Sequence, residues 1–286
     1  MDLNEAYDTC STITRREAKN FYYAFLTLPR MKRRAIYTIY AFCRFCDDIA
    51  DGDADIEEKL EQINIVRRNI ERVDFEEFQE PVYVALSHVI NQFNIPVEYF
   101  NSLLSGMEMD LSKVRYKNFS ELEGYCYRAA SVVGLICIHV FGFKDERAEQ
   151  CAISLGMAMQ LTNICRDVRD DFQLGRIYIP EDEMLRFGYS EKLLGALQAT
   201  DEFSELMKYQ IARARIYFVD GMRIVDYLER DAKACTYLLG NLYVALLDRI
   251  ERNGYDVLST RISLTLSEKL FLLVRTWFKV KCRVWR

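Results

Sequence analysis

Asp47 and Asp51 stand four residues apart at the end of the apolar stretch YTIYAFCRFCDDIAD, and Asn163, Asp167 and Asp171 repeat that spacing twice in NICRDVRDD. On an α-helix each four-residue step moves about 6 Å along one face, so each set presents its oxygens in a row. Like charges at this spacing repel and weaken a helix by a few tenths of a kcal/mol. A hard cation would offset the repulsion. Oxygen donors without imidazole or thiolate suit Mg²⁺, which takes few carboxylates and shares the rest of its shell with water and phosphate. Both rows follow strongly apolar turns, Ile39-Tyr40-Ala41-Phe42 and Leu155-Gly156-Met157-Ala158-Met159, with Arg44 in phase with the first. Acids such as Glu57-Glu58 and Glu76-Glu77 lack that setting and read as solvated surface.

Two facing carboxylate helices, Mg²⁺ and nearby guanidinium groups make a receptor for a diphosphate. Neutralising a departing diphosphate drives heterolysis of its carbon–oxygen bond. The resulting carbocation needs a dry, aromatic-lined cavity, and Phe21, Tyr22, Tyr23, Phe25, Tyr37 and Tyr40 precede the first row. An ordinary aromatic core fits that stripe as well. The chain has two histidines, His88 and His139, far apart in the sequence, which argues against zinc sites and Ser-His-Asp chemistry. Neither follows a Glu by three, so the Glu-x-x-His pairs of a di-iron bundle are missing.

The elements that must position these residues are helical. Apolar residues recur at three and four over 31–51, 56–73, 97–112, 120–142, 146–171, 201–228 and 234–252. Alternating strand patterns are short and unconvincing, and the four prolines, Pro29, Pro81, Pro96 and Pro180, fall where helical patterns break. The expectation is an all-α fold, with residues 1–286 forming one domain, since no linker or compositional step divides the 286 residues. Half of the residues are hydrophobic and 28% are charged, which excludes wholesale disorder. A net charge of −5 argues against nucleic acid. Nine scattered cysteines and a start, MDLNEAYDTC, without the apolar core of a leader imply reduced thiols in a cytoplasmic protein. Cys43 and Cys46 form a CxxC, but no second pair completes a metal site. The apolar run from Ala129 to Phe143 is short for a membrane span and suits a buried helix. From Glu268 to Arg286 the tail carries six basic residues and one acid among Phe271, Leu272, Leu273, Trp277, Phe278 and Trp285. Two readings fit it: peripheral contact with an anionic membrane, or a last core helix with a solvated basic face.

The chain resembles the squalene/phytoene synthase family of head-to-head prenyltransferases over nearly its whole length. The resemblance rests on NFYYAFLTLP (20–29), RRAIYTIYAFCRFCDDIAD (33–51), YCYRAASVVGL (125–135), LGMAMQLTNICRDVRDD (155–171), GRIYIP (175–180) and LYVALLDRIERNGYDV (242–257). It implies an all-α isoprenoid synthase bundle with a central cavity, in which two prenyl diphosphates condense through a cyclopropylcarbinyl diphosphate. Carried over by position, Asp47 and Asp51 resemble the first Mg²⁺-binding pair, and Asn163, Asp167 and Asp171 the second, with Gln160 a turn earlier. Arg44 and Arg166 would sit by the diphosphates, while Tyr125 and Tyr243 would reach the reacting centre. Phe21, Phe25, Ile36, Tyr40, Ala129, Ala130 and Gly134 would line hydrocarbon tunnels, the small residues making room for the chains. Arg176 and Tyr178 would close the site, and Arg261 resembles a late phosphate-contacting Arg. Two departures stand out. Ala18-Lys19-Asn20 replaces a Ser-rich stretch, keeping Lys19 for phosphate but losing hydroxyl donors, and Arg169-Asp170-Asp171 replaces Gly-Glu-Asp.

A bulky Phe25 one turn past Phe21 shortens the expected tunnel and favours two C15 farnesyl diphosphates, giving presqualene diphosphate and, beyond it, squalene or dehydrosqualene. The alternatives are phytoene synthesis from two C20 geranylgeranyl diphosphates, a terpene cyclase, which YCYR and GRIYIP disfavour, and an inactive prenyl-diphosphate-binding scaffold, which the intact acids oppose. No Gly-rich dinucleotide fingerprint indicates NADPH, although the resemblance is compatible with its use.

Overall fold

The computed structural model describes residues 2–18, 21–72, 80–112 and 114–282, side chains 277 and 280–282 excepted. Lys19, Glu76-Glu77 and the chain end with Trp285 lie outside the described residues. The fold opens with α1 (Leu3–Glu17), the short α2 (Tyr22–Phe25) and α3 (Arg30–Asp51), followed by α4 (Ile56–Glu71), α5 (Pro81–Phe93) and α6 (Val97–Ser112). Next, α7 (Phe119–Cys126) runs through a π-helical turn (Tyr127–Ser131) into α8 (Val132–Phe141), and α9 (Arg147–Gln173) follows. The remainder is α10 (Glu181–Arg186), α11 (Glu191–Gly195), α12 (Asp201–Gly221), α13 (Ile224–Tyr227), α14 (Lys233–Arg252) and α15 (Leu266–Cys282). Among the described residues there is no β-strand; two isolated bridges join Arg115 to Ile177 and Phe143 to Leu228. The all-α expectation holds, and the prolines act as helix starters. Pro29 precedes α3, Pro180 precedes α10, and Pro81 is the first residue of α5, where its missing N–H costs nothing.

At the centre lies α9, with buried residues along its length from Ala148 through Leu155, Leu161 and Cys165 to Val168. It packs against α12, the π turn, α8 and α14. The π turn seats on α9 because Gly156 has no Cβ: one there would lie 2.6 Å from Ser131 Cα. Ser131 Oγ also donates to the Ile153 carbonyl at 2.9 Å. One turn further on, a Cβ at Gly134 would lie 2.7 Å from the Ala152 carbonyl oxygen. The room left by this glycine is therefore filled by α9, not by a substrate chain. The stretch Phe119–Phe141 is long and apolar enough to cross a membrane, yet half of its most apolar window is buried inside the protein, where it packs on α6 and α9.

Two of the longer helices escape the periodicity reading, as do the short α2, α10 and α11. The first, α1, buries small or polar-tipped residues, Ala6, Tyr7, Cys10 and Thr14, so its inner face shows no run of large aliphatics. It docks through the Thr14 hydroxyl on the Tyr37 carbonyl at 3.0 Å. The second, α5, is apolar on most faces and β-branched at Val82, Val84, Val89 and Ile90, so neither period stands out.

Candidate functional site

Asp47 and Asp51 occupy the last turns of α3, and Asn163, Asp167 and Asp171 climb one face of α9. A fifth acid, Asp110 on α6, lies between the two rows. Burial pushes the Asp47 carboxyl up to about 7, with the charges of Asp51 and Asp110 adding to the effect and Arg44 opposing it. Burial likewise raises Asp171 to about 7, with Asp167 and Asp110 adding and Arg176 opposing. Asp110 is raised by burial against two hydrogen bonds that favour its charge, and it also feels Asp51. The two rows therefore share one field, with Asp110 as the group that both sense. Asp47 remains open to solvent on one side, but the protein walls around its carboxylate outweigh that access. Among the described residues no three acids converge tightly enough to enclose a cation unaided. Acids pushed up this far in one cleft, with oxygen donors alone, fit a hard divalent ion that completes its shell with phosphate and water. Cys43 beside them is held as a thiol by burial.

Two cavities meet at this cleft. The deeper, about 310 Å³, is lined by Phe25, Ile36, Tyr40, Cys43, Leu103, Met107, Ala129, Val133 and Cys137, with Asp47, Asp110, Tyr125 and Gln160 at its polar end. The second, about 710 Å³, is lined by Phe21, Leu242, Leu246, Ile262 and Leu264, with Glu17, Arg44, Asn163, Arg166, Tyr243, Arg261, Ser263 and Lys269 as its polar groups. Tyr40 lines both. Phe21 stacks on Tyr243 at 5.9 Å and tilts against Tyr40 at 6.4 Å, while Phe25 meets Tyr37 and Tyr40 edge-on at 6.1 and 6.5 Å. The aromatic stripe is thus partly cavity wall: Tyr22 and Tyr37 stack on each other behind it, and neither lines these two cavities.

The guanidinium groups are held by the acids they neighbour. Arg166 pairs with Asp167 through two parallel hydrogen bonds, the Nε donating at 2.8 Å. Burial works against the Arg166 charge, and the bonds and charge of Asp167 more than offset it. Arg44 pairs with Asp48 at 2.5 Å, and Arg261 approaches Asp167 at 3.8 Å and Asp170 at 3.5 Å. Arg169 bonds the carbonyls of Leu258 and Ser259 instead, so it anchors the segment before Arg261.

Opposite them, Tyr125 Oη donates to Asp110 Oδ2 at 2.9 Å and Tyr178 Oη to Oδ1 at 2.7 Å, with the two rings stacked at 5.1 Å and Tyr116 against both. Burial disfavours the Arg176 charge, and the neighbouring Asp110 and Asp51 carboxylates, with the phenol oxygen of Tyr178, more than offset it. Its backbone N–H is fixed to the Asp171 carbonyl at 2.9 Å.

Most of the residues singled out in the sequence therefore meet at one cleft, with two corrections. Ala130 and Gly134 do not line either cavity; both are spent on the contact with α9, the Ala130 carbonyl lying against Gly156. Asp51, Asp167, Asp171, Arg176 and Tyr178 rim the cleft without lining the cavities. Asp110 was missed. Its signal was a lone acid four residues past Gly106, on the face that carries Leu103 and Met107. The histidines stay apart: His88 bonds Tyr7 at 2.8 Å, and His139 sits by Tyr99 and Phe143.

Residues 14–268 match the squalene/phytoene synthase family. The chain is 36% identical to the 15-cis-phytoene synthase of Synechocystis sp. over 98% of its own length and 86% of that protein. It is also 36% identical to the phytoene synthase of Mycobacterium tuberculosis, over 92% and 88%. Among solved structures it is similar to a dehydrosqualene synthase bound to a ligand, with a TM-score of 0.89, 28% identity and 98% of both chains covered. A squalene synthase, HpnC from Alicyclobacillus acidocaldarius, matches with a TM-score of 0.83 and 28% identity over 89% of this chain and 96% of that one.

Proposed function

The chain belongs to the squalene/phytoene synthase family, prenyltransferases that join prenyl diphosphates head to head, and we propose that it joins two C15 farnesyl diphosphates into presqualene diphosphate. What carries this reading is the pair of cavities sharing Tyr40, each with its own polar end: Asp47 and Asp110 in one, Arg44, Arg166 and Arg261 in the other. Two hydrocarbon chains and two diphosphates need that division. Phe25, braced edge-on by Tyr37 and Tyr40, stands in the wall of the deeper cavity and limits the chain it takes.

In the proposed reaction one substrate loses its diphosphate, which leaves with the electron pair of the broken C–O bond. The double bond of the other substrate supplies the pair for the new C–C bond, and loss of a proton closes the cyclopropane. Asp47, Asp51, Asn163, Asp167 and Asp171 would hold Mg²⁺, which supplies neutralisation of the departing diphosphate. Arg166 and Arg44 orient the diphosphate oxygens. Faces of Phe21, Tyr40 and Tyr243 flank the cation and exclude water. Tyr125 holds its proton at Oη in the bond to Asp110, which itself lines the cavity, so a carboxylate stands at the cavity's polar end to take up the proton released.

Incubation with each diphosphate and Mg²⁺, with and without NADPH, followed by mass spectrometry, tests the reading. A C30 product from the C15 substrate is expected, and turnover of the C20 substrate alone overturns it. The two phytoene synthases at 36% identity favour the C20 reading as the second one. Phe25→Ala should admit C20 substrate, raising the C20/C15 ratio of kcat/KM by tenfold or more, about 1.4 kcal/mol. An unchanged ratio removes Phe25 as the limit.

Metal binding should follow pH in a definite sense. The carboxyls of Asp47 and Asp171 are lifted from 3.8 to about 7 in the fold. For a raised carboxyl the stability contribution is complete below 3.8 and lost as pH rises through 7, so the metal-free protein loses stability over that interval. Mg²⁺ competes with those protons and should raise Tm strongly at pH 8 and scarcely at pH 5.5. Equal shifts at both pH values would rule out these two carboxyls as its ligands.

A further inference from the structure

The outward face of α15 is apolar. Leu266, Leu270, Val274 and Phe278 follow one another at four-residue spacing, with Phe271 beside them, and all five are exposed, Leu266 and Phe271 by 61% and 66%. On the opposite face Leu272 and Thr276 are buried, and the helix runs antiparallel to α14, tied by Arg249–Glu268 at 2.8 Å and Lys279–Tyr237 at 2.6 Å. A last core helix with a solvated basic face would show the reverse pattern. Exposed Arg275 and half-buried Lys269 border the stripe, Lys279 is bonded to Tyr237, and the sequence from Glu268 to Arg286 holds six cations and one acid, of which Lys281, Arg283 and Arg286 lie outside the described side chains. That acid is taken up by Arg249 and the Thr265 N–H. We propose that this face docks on an anionic lipid bilayer, the apolar stripe entering the acyl boundary and the cations meeting the headgroups. Lys269 also lines the larger cavity, so docking sets that cavity beside the bilayer. On the prenyl diphosphate reading, this is where a long-chain product would leave.

Vesicle flotation of the full chain tests the docking without reference to activity, so it stands or falls apart from the catalytic reading. Vesicles of phosphatidylcholine mixed equally with phosphatidylglycerol should carry the protein, and phosphatidylcholine alone should not. Added salt should weaken the binding. Phe271→Ser with Val274→Ser should lower it by tenfold or more, and Arg275→Glu by about fivefold or more, each with an unchanged melting curve. Equal binding to both vesicle types, unchanged binding by the folded variants, or no binding overturns the proposal. So does a dimer, in analytical ultracentrifugation, that the double variant dissociates while vesicles are ignored, because the stripe then faces a second copy.

Discussion

Asp47→Ala and Asp167→Ala are each expected to lower Mg²⁺-dependent diphosphate release by about a thousandfold or more, with the far-UV helical signal unchanged. The size follows from what neutralising a leaving diphosphate supplies, several kcal/mol of transition-state stabilisation. The two acids reach that outcome differently. Asp47 ends the polar side of the deeper cavity and is raised to about 7 by burial, with Asp51 and Asp110 adding, so its removal relieves crowded charge. Its metal-free variant should melt no lower than the parent at pH 8 while losing the Mg²⁺-dependent rise in Tm. Asp167 is already paired with Arg166 and approached by Arg261. Its removal leaves a half-buried guanidinium without its partner, so Asp167→Ala should melt lower than the parent, and Asp167→Asn separates this loss from the loss of metal. A near-parental rate in either alanine variant would show that the row it belongs to does not bind the metal.

Both rows were legible because a four-residue spacing of oxygens on an apolar helix is a local property of the chain. The helices that carry them were legible for the same reason: 31–51 and 146–171 fall within two residues of α3 and α9 at each end. What could not be read was how helices far apart in sequence face one another. The stretch 120–142 reads as one regular helix, yet it contains the π turn at Tyr127–Ser131, which lies closely against Gly156. The same contact explains why Ala130 and Gly134 are small, a property that a sequence cannot divide between room for a ligand and room for a helix. Residues 201–228 break at Met222–Arg223 into α12 and α13, just past Asp220-Gly221, a breaker that the apolar periodicity passes over. Asp110 had no partner within its own helix. Its meaning comes from Tyr125 and Tyr178, 15 and 68 residues away.

That long-range character makes Asp110→Asn the sharpest test of the cleft. The amide keeps the shape and one acceptor for the two phenols but loses the charge that can receive a proton. Turnover is expected to fall by about a hundredfold to a thousandfold, the range of a lost general base. A purely structural role predicts a lower melting temperature. The opposite is expected in the metal-free protein near pH 8, because burial holds the Asp110 carboxyl above its ordinary range and makes its ionised form costly. Tyr125→Phe removes the 2.9 Å bond to Oδ2 while leaving the ring stacked on Tyr178, and should cost less. Residues acting through one bond are not additive, so the double variant should be scarcely slower than Asp110→Asn alone. Additive losses would mean that the phenol and the carboxylate act separately, and a full rate in Asp110→Asn would mean that the proton leaves by another route.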